Sequence, residues 1–174
     1  SEIYKLDLSS GKIAALTNRK GPDRSLSISP DGKRIAYIGF DDKTQTYQIS
    51  RLYVMDSEGR NQKELKLDLD RSVSNPVWSN DSKGIYYQYD DKGNTKIGHI
   101  DRSGKTTVVT SNVGGTSVGR PYPGGAFSIS NNGTIAFTQS SPMHPAELAI
   151  IKKGDKMPQQ ILSLNSDFTK IYFN

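Results

Sequence analysis

Apolar residues in this chain come in short runs, and the way they alternate with polar residues changes from one run to the next. In "SLSISPDGKRIAYIG" (residues 25–39), Leu26 and Ile28 alternate with serines, whereas Ile35-Ala36-Tyr37-Ile38 is a continuous apolar run. Strict alternation predicts a half-buried strand and a short continuous run predicts a fully buried one. The Ser-Pro-Asp-Gly between them has turn chemistry. Pro30 presets φ, Asp31 tolerates the next position, and Gly32 follows where a positive φ is often required. The stretch therefore predicts a β-hairpin, and no window of the chain sustains an apolar period of 3.6.

The hairpin recurs. "NPVWSNDSKGIYYQY" and "GAFSISNNGTIAFTQ" align on it through Ser29, Ser79 and Ser130, which are 50 and 51 residues apart. A second pattern follows each copy. "LYVMDSEGRNQKEL" (52–65) matches "IGHIDRSGKTTVV" (97–109) and also the opening "IYKLDLSSGKIAAL" (3–16), with "ELAIIKKGDKMPQQIL" (147–162) as a degenerate copy. Asp7, Asp56 and Asp101 each precede a turn glycine (Gly11, Gly59, Gly104) in what reads as an outer hairpin. Units of about four short strands every 40–50 residues are the signature of β-propeller blades.

The fold class expected is thus all-β, a fragment of about three and a half four-stranded antiparallel blades. The expected boundaries are an outer half-blade at 1–17, blades at 22–66, 70–110 and 115–164, and a tail at 165–174. Rings of this kind need roughly four to eight blades, so the chain is expected to be a piece of a longer protein or to self-associate. Two such halves would make seven blades.

Composition narrows the picture in places. The 174 residues contain no cysteine, which removes disulfide frameworks and thiolate metal sites. The net charge of +5 raises the question of nucleic acid, but the basic residues are scattered and no cluster, Lys152-Lys153 included, exceeds two adjacent residues. No nucleic-acid partner is expected. Mean hydropathy is −0.62 and no apolar run approaches a bilayer's thickness, so no membrane partner is expected and no stretch reads as a signal peptide. A periplasmic or secreted location is favoured over the cytoplasm.

Several segments together resemble one family. "SISPDGKRIAY…LYVMDSEG", "NPVWSNDSKGIYY", "SSPMHPAELAII" and "QQILSLN" resemble the propeller of the prolyl oligopeptidase superfamily of serine peptidases, in its acylaminoacyl-peptidase-like branch. Ser140, Ser141, Pro145, Glu147 and Leu148 match the Ser-Ser-x-x-x-Pro-x-Glu-Leu segment of the last blade, and Leu164-Asn165 matches the pair that ends the propeller. The Ser-Pro-Asp-Gly turns are shared with TolB-type propellers. The resemblance implies an α/β-hydrolase domain, absent from this chain, that carries the Ser-Asp-His triad and acts on peptides. It also implies a non-catalytic gating role for the propeller. The competing expectation is a TolB-like protein-interaction module; a sugar-active propeller would need convergent histidines and carboxylates that the sequence does not offer.

The apparent chemistry in the chain argues against catalysis by these residues. "GTSVG" (115–119) has the form of a nucleophile elbow, but Pro121 and Pro123 follow where the helix is required, and no acid lies between residues 118 and 143. No catalytic residue, cofactor or metal site is expected. His99 and His144 lie in different blades without ligand partners at suitable spacing. The loops from an outer strand to the next inner strand, 67–75 and 112–125, are where a propeller presents surface near its channel. Arg71, Arg120 and Tyr122 are accordingly the candidate substrate-gating residues, able to meet a peptide carboxylate or backbone.

Overall fold

The computed structural model describes residues 1–115 and 124–172. Its strands are β1 (Tyr4–Leu6), β2 (Ile13–Ala15), β3 (Asp23–Ile28), β4 (Arg34–Gly39), β5 (Arg51–Asp56) and β6 (Lys63–Glu64). They continue with β7 (Val73–Trp78), β8 (Gly84–Asp91), β9 (Asn94–Asp101), β10 (Thr106–Val113), β11 (Phe127–Ile129), β12 (Ile135–Ser141), β13 (His144–Ile151) and β14 (Gln159–Gln160). Strands pair with their sequence neighbours: β1 with β2, β3 through β6 in order, β7 through β10 in order, and β11 through β14 in order. Among the described residues one link departs from this rule, where β10 meets β12 through Val113 and Gln139, and none of these sheets closes on itself.

Two compact units share the chain. One is Ser1–Gln88 with His99–Thr107, and the other is Tyr89–Gly98 with Val108–Asn174.

In the first unit, β4 and β5 form the middle of a four-stranded sheet, and their side chains from Ile35 to Ile38 and from Leu52 to Met55 are buried. Antiparallel pairing places Ile35 opposite Met55 and Tyr37 opposite Tyr53. These four residues and Ile3 make one apolar cluster, with Leu16 packed against it. The opposite face of β4–β5 is covered by β7. There Trp78 is 6% exposed, its indole N–H donates to the Ser27 carbonyl at 3.0 Å, and the Arg34 guanidinium lies 4.7 Å from its ring centre.

The serine turns are built alike. Ser29 donates to Asp31 at 2.6 Å, while the Lys33 and Arg34 amides donate back to Asp31 and Ser29. Ser79–Asp81 and Ser130–Asn132 repeat this, each at 2.6 Å. Gly32 takes φ +69°, Gly133 φ +83°, and Ser82 fills the same place at φ +58°. Ser82 costs backbone strain there, but its hydroxyl accepts the Asp31 amide across the sheet-to-sheet contact at 3.1 Å. The outer turns rely on carboxylates. Asp56 accepts the Glu58 and Arg60 amides, and Asp101 accepts those of Ser103 and Lys105.

The structure corrects one expectation about burial. β3 was expected to bury Leu26 and Ile28, yet these are 50% and 60% exposed. Ile28 pairs with Ile35 and therefore faces β1–β2. Ile3 and Leu16, which flank that two-stranded sheet, pack on Ile35, Tyr37, Tyr53 and Met55 and leave Ile28 uncovered. β1 and β2 are exposed at every position, Tyr4, Leu6 and Ile13 among them.

In the second unit, Phe137 pairs with Ala149 and Ile135 with Ile151, and all four are buried. A helix, α1 (Ser166–Tyr172), follows β14 where the sequence showed only a tail. Two turns are too short to set up a readable apolar period. No helix among the described residues is long and apolar enough to cross a membrane.

Candidate functional site

Because strands alternate in direction, the serine and aspartate turns of the β3–β6 sheet lie at one end. The connections β2–β3, β4–β5 and β6–β7 lie at the other, and the functional candidates belong there. Arg71, on β6–β7, pairs with the neighbouring Asp70 at 2.7 Å. Arg120, Tyr122 and the serine of "GTSVG", Ser117, lie outside the described residues. Of the three gating candidates, only Arg71 is among the described residues.

It does assemble a site that the motifs did not indicate. Arg19, on the β2–β3 connection, crosses the end of the sheet. Its guanidinium lies 3.7 Å from the centre of the Tyr53 ring, and Tyr53 itself stacks on Tyr37 with centroids 5.4 Å apart. Arg19 Nε is 3.2 Å from Asp23 Oδ1, and the Asp23 side chain is wholly buried. Nη2 donates to the Tyr37 hydroxyl at 3.4 Å. Neither Asp23 oxygen makes a hydrogen bond of good geometry, so the Arg19 charge is its main compensation, with a smaller one from the Thr17 side chain. Burial pushes the Asp23 carboxyl above the usual range, against the pull of Arg19, and burial likewise raises the Tyr37 and Tyr53 phenols. A side chain at Gly39 would run into Asp23, so glycine there makes room for the carboxylate.

Above this cluster lies an open groove of about 350 Å³ lined by Arg19, Lys20, Asp41, Tyr53, Gln62 and Glu64, with Lys63 at its rim. A second groove of about 420 Å³, along the β4–β5 connection, shares Asp41, Tyr53 and Glu64 and adds Lys43, Tyr47 and Arg51. The Asp42 amide donates to the Lys20 carbonyl at 2.6 Å and ties the two connections together.

A signal for the cluster exists in the repeat. Shifted by the 50-residue repeat, Thr17, Arg19 and Asp23 fall on Leu67, Leu69 and Val73. A polar trio stands where the next copy carries an apolar one, and comparing the copies position by position finds it.

In the second unit, Ser141 Oγ lies 3.2 Å from His144 Nδ1 at the β12–β13 turn. The pair is exposed and is not an assembled nucleophile. Glu147 is more informative. Its carboxylate accepts the Leu164 amide at 3.1 Å, the Asn165 amide at 2.8 Å and the Asn165 side-chain amide at 2.9 Å. Asn165 also donates to the Ala146 carbonyl, which fixes the entry to α1.

Comparison with known proteins gives the architecture its name. TolB from Acinetobacter baumannii superposes with a TM-score of 0.68 at 17% identity, over 92% of this chain and 37% of that one. The chain is built from β-propeller blades. A puromycin-hydrolyzing peptidase of Mycobacterium tuberculosis carries them too, with a TM-score of 0.69 at 12% identity, over 94% of this chain and 28% of that one. The same blades occur in solved prolyl endopeptidases. In sequence, dipeptidyl-peptidase 5 of Porphyromonas gingivalis is 30% identical over 112 residues, 63% of this chain and 16% of that protein. The blades here thus span a minor part of each of these proteins. No protein-family profile matches the chain.

Proposed function

We propose that these blades are part of the non-catalytic propeller of an acylaminoacyl-peptidase-like serine peptidase, where they gate the access of peptides to a hydrolase domain. The observation that carries this reading is the Glu147 clasp. The two parts of the family-like signature, Pro145-x-Glu147-Leu148 and Leu164-Asn165, are separated in sequence yet bonded to each other where the chain leaves its last blade. The similarity to dipeptidyl-peptidase 5 supports the same parentage. Arg71, Arg120 and Tyr122 remain the residues proposed to meet the incoming peptide.

The test uses the parent polypeptide. A fluorophosphonate should label it, and its rate on peptides should fall steeply with substrate size. Cutting away the propeller should relax that size dependence. A parent that takes no label and has no strand-Gly-x-Ser-x-Gly-helix segment would overturn the proposal.

The likeness to TolB over 92% of the chain favours one second reading, a protein-interaction module. A parent without a hydrolase domain that binds a protein through the loop end of its blades would establish it.

A further inference from the structure

We infer that the groove over Arg19 is a binding site for a carboxylate, and that Asp41 holds the ligand's place while the site is empty. The inference goes beyond the gating role and does not depend on whether the parent is a peptidase.

The next repeat provides an internal control. With Leu67, Leu69 and Val73 where this blade has Thr17, Arg19 and Asp23, the neighbouring blade forms the same connection and the same inner strand. The fold does not need these charges. Burying an arginine–aspartate pair generally adds little stability over an apolar packing of similar volume, because desolvation offsets the attraction. Asp23 has no hydrogen bond of good geometry to lower that cost. Stability thus gives no reason for the pair, and its geometry suggests a use.

Arg19 is held on three sides. Asp23 fixes Nε, the Tyr53 ring fixes the guanidinium plane, and the Tyr37 hydroxyl accepts from Nη2. Nη1 makes no hydrogen bond and is buried. Its one ion-pair partner is Asp41 Oδ1 at 3.7 Å, too far for a hydrogen bond, on a side chain 73% exposed. A donor locked in this way calls for an acceptor oxygen about 2.7–2.9 Å away. Asp41 stands at the right place but too far out. If Asp41 swings outward on the β4–β5 connection, a ligand carboxylate can enter, take Nη1 and lie along Tyr53 between Lys20 and Lys63. Glu64, at the far side, repels a second acidic group and so favours a single carboxylate. Asp23 is a positioning residue here, since it touches Arg19 and not the ligand.

The test follows the Arg19 Nε–H resonance of the 174-residue chain by NMR. Three short peptides are titrated: one neutral with a free C-terminus, one amidated with a single glutamate, and one amidated and neutral. Saturable shifts are expected with one or both carboxylate peptides and none with the neutral amide, and the responding peptide identifies the source of the carboxylate. Arg19→Lys should weaken binding roughly tenfold or more through loss of the fixed donor. Asp41→Ala should tighten it, because the competitor is gone. The double variant Arg19→Leu/Asp23→Val borrows the next repeat's apolar residues, keeps the Thr17 hydroxyl that accepts the buried Ile3 amide, and should melt no lower than the native chain while binding neither carboxylate peptide. No shift with either carboxylate peptide at millimolar concentration, an equal response to the neutral amide, or weaker binding on Asp41→Ala would overturn the inference.

Discussion

Removing the indole of Trp78 should be among the most damaging single changes in the first unit. The side chain is 6% exposed, so Trp78→Ala empties a volume that β3 and β4 cannot fill by collapsing, and about 3–5 kcal/mol is expected. The contributions separate with milder variants. Trp78→Phe keeps an aromatic face for Arg34 but loses the 3.0 Å bond to the Ser27 carbonyl, which predicts about 1–2 kcal/mol. A double-mutant cycle of Trp78→Ala with Arg34→Ala should reveal a coupling of about 0.5–1 kcal/mol for the guanidinium 4.7 Å from the ring. Urea unfolding followed by far-ultraviolet circular dichroism measures all of these. Trp78 is the sole tryptophan, so the native chain's emission maximum independently reports its burial. A Trp78→Ala cost below about 1 kcal/mol, within reach of an ordinary surface change, would refute the packing of β7 on β3–β4.

Gly32→Val should cost about 1–3 kcal/mol from backbone strain alone, since nothing crowds a side chain there, and Gly32→Ser should cost less because Ser82 already occupies that conformation. An unchanged melting curve for Gly32→Val would remove the turn assignment. Acid should loosen the outer turns: hydrogen bonding from the Arg60 amide holds Asp56 below the usual carboxylate range, and the Ser103 hydroxyl does the same for Asp101. Their contribution is complete above the unfolded carboxyl pKa and is lost as pH falls through the lowered folded values. Asp23, raised by burial, runs the other way and is relieved on acidification. NMR titration should rank Asp23 above Asp56 and Asp101, and the reverse order would contradict the geometry. Glu147→Gln should leave the blade folded but raise hydrogen exchange at Leu164 and Asn165; unaltered exchange would discount the clasp. Sedimentation equilibrium should show self-association through the exposed Tyr4, Leu6 and Ile13 face, whereas a stable species at the 19.2 kDa monomer mass would discount it.

The blade pattern was readable because its determinants are local. Pro30, Asp31 and Gly32 specify their turn, and Ile35-Ala36-Tyr37 its buried strand, with no help from distant residues. What the sequence concealed depends on neighbours. The exposure of Leu26 and Ile28 follows from where Ile3 and Leu16 pack, on β4 and β5 and not on β3, which alternation along β3 cannot express. Arg19 and Asp23 look like loop residues until the fold sets them against Tyr37 and Tyr53. Motif reading pointed to Arg71, Arg120 and Tyr122 in the later loops and gave no sign of the charge cluster on the β2–β3 connection.

The nearest-neighbour strand pairing bears on how the chain folds. When each strand pairs with the one before it, almost every loop to be closed is short, so the entropy cost of each closure is small. Slow folding in all-β proteins comes largely from distant pairings. Here the pairing within each meander is local, whereas the bond from Trp78 to the Ser27 carbonyl joins residues 51 apart. The sole tryptophan therefore sits at a joint between meanders and not inside one. In a stopped-flow experiment its emission should lag behind the growth of sheet signal, which would separate meander formation from docking.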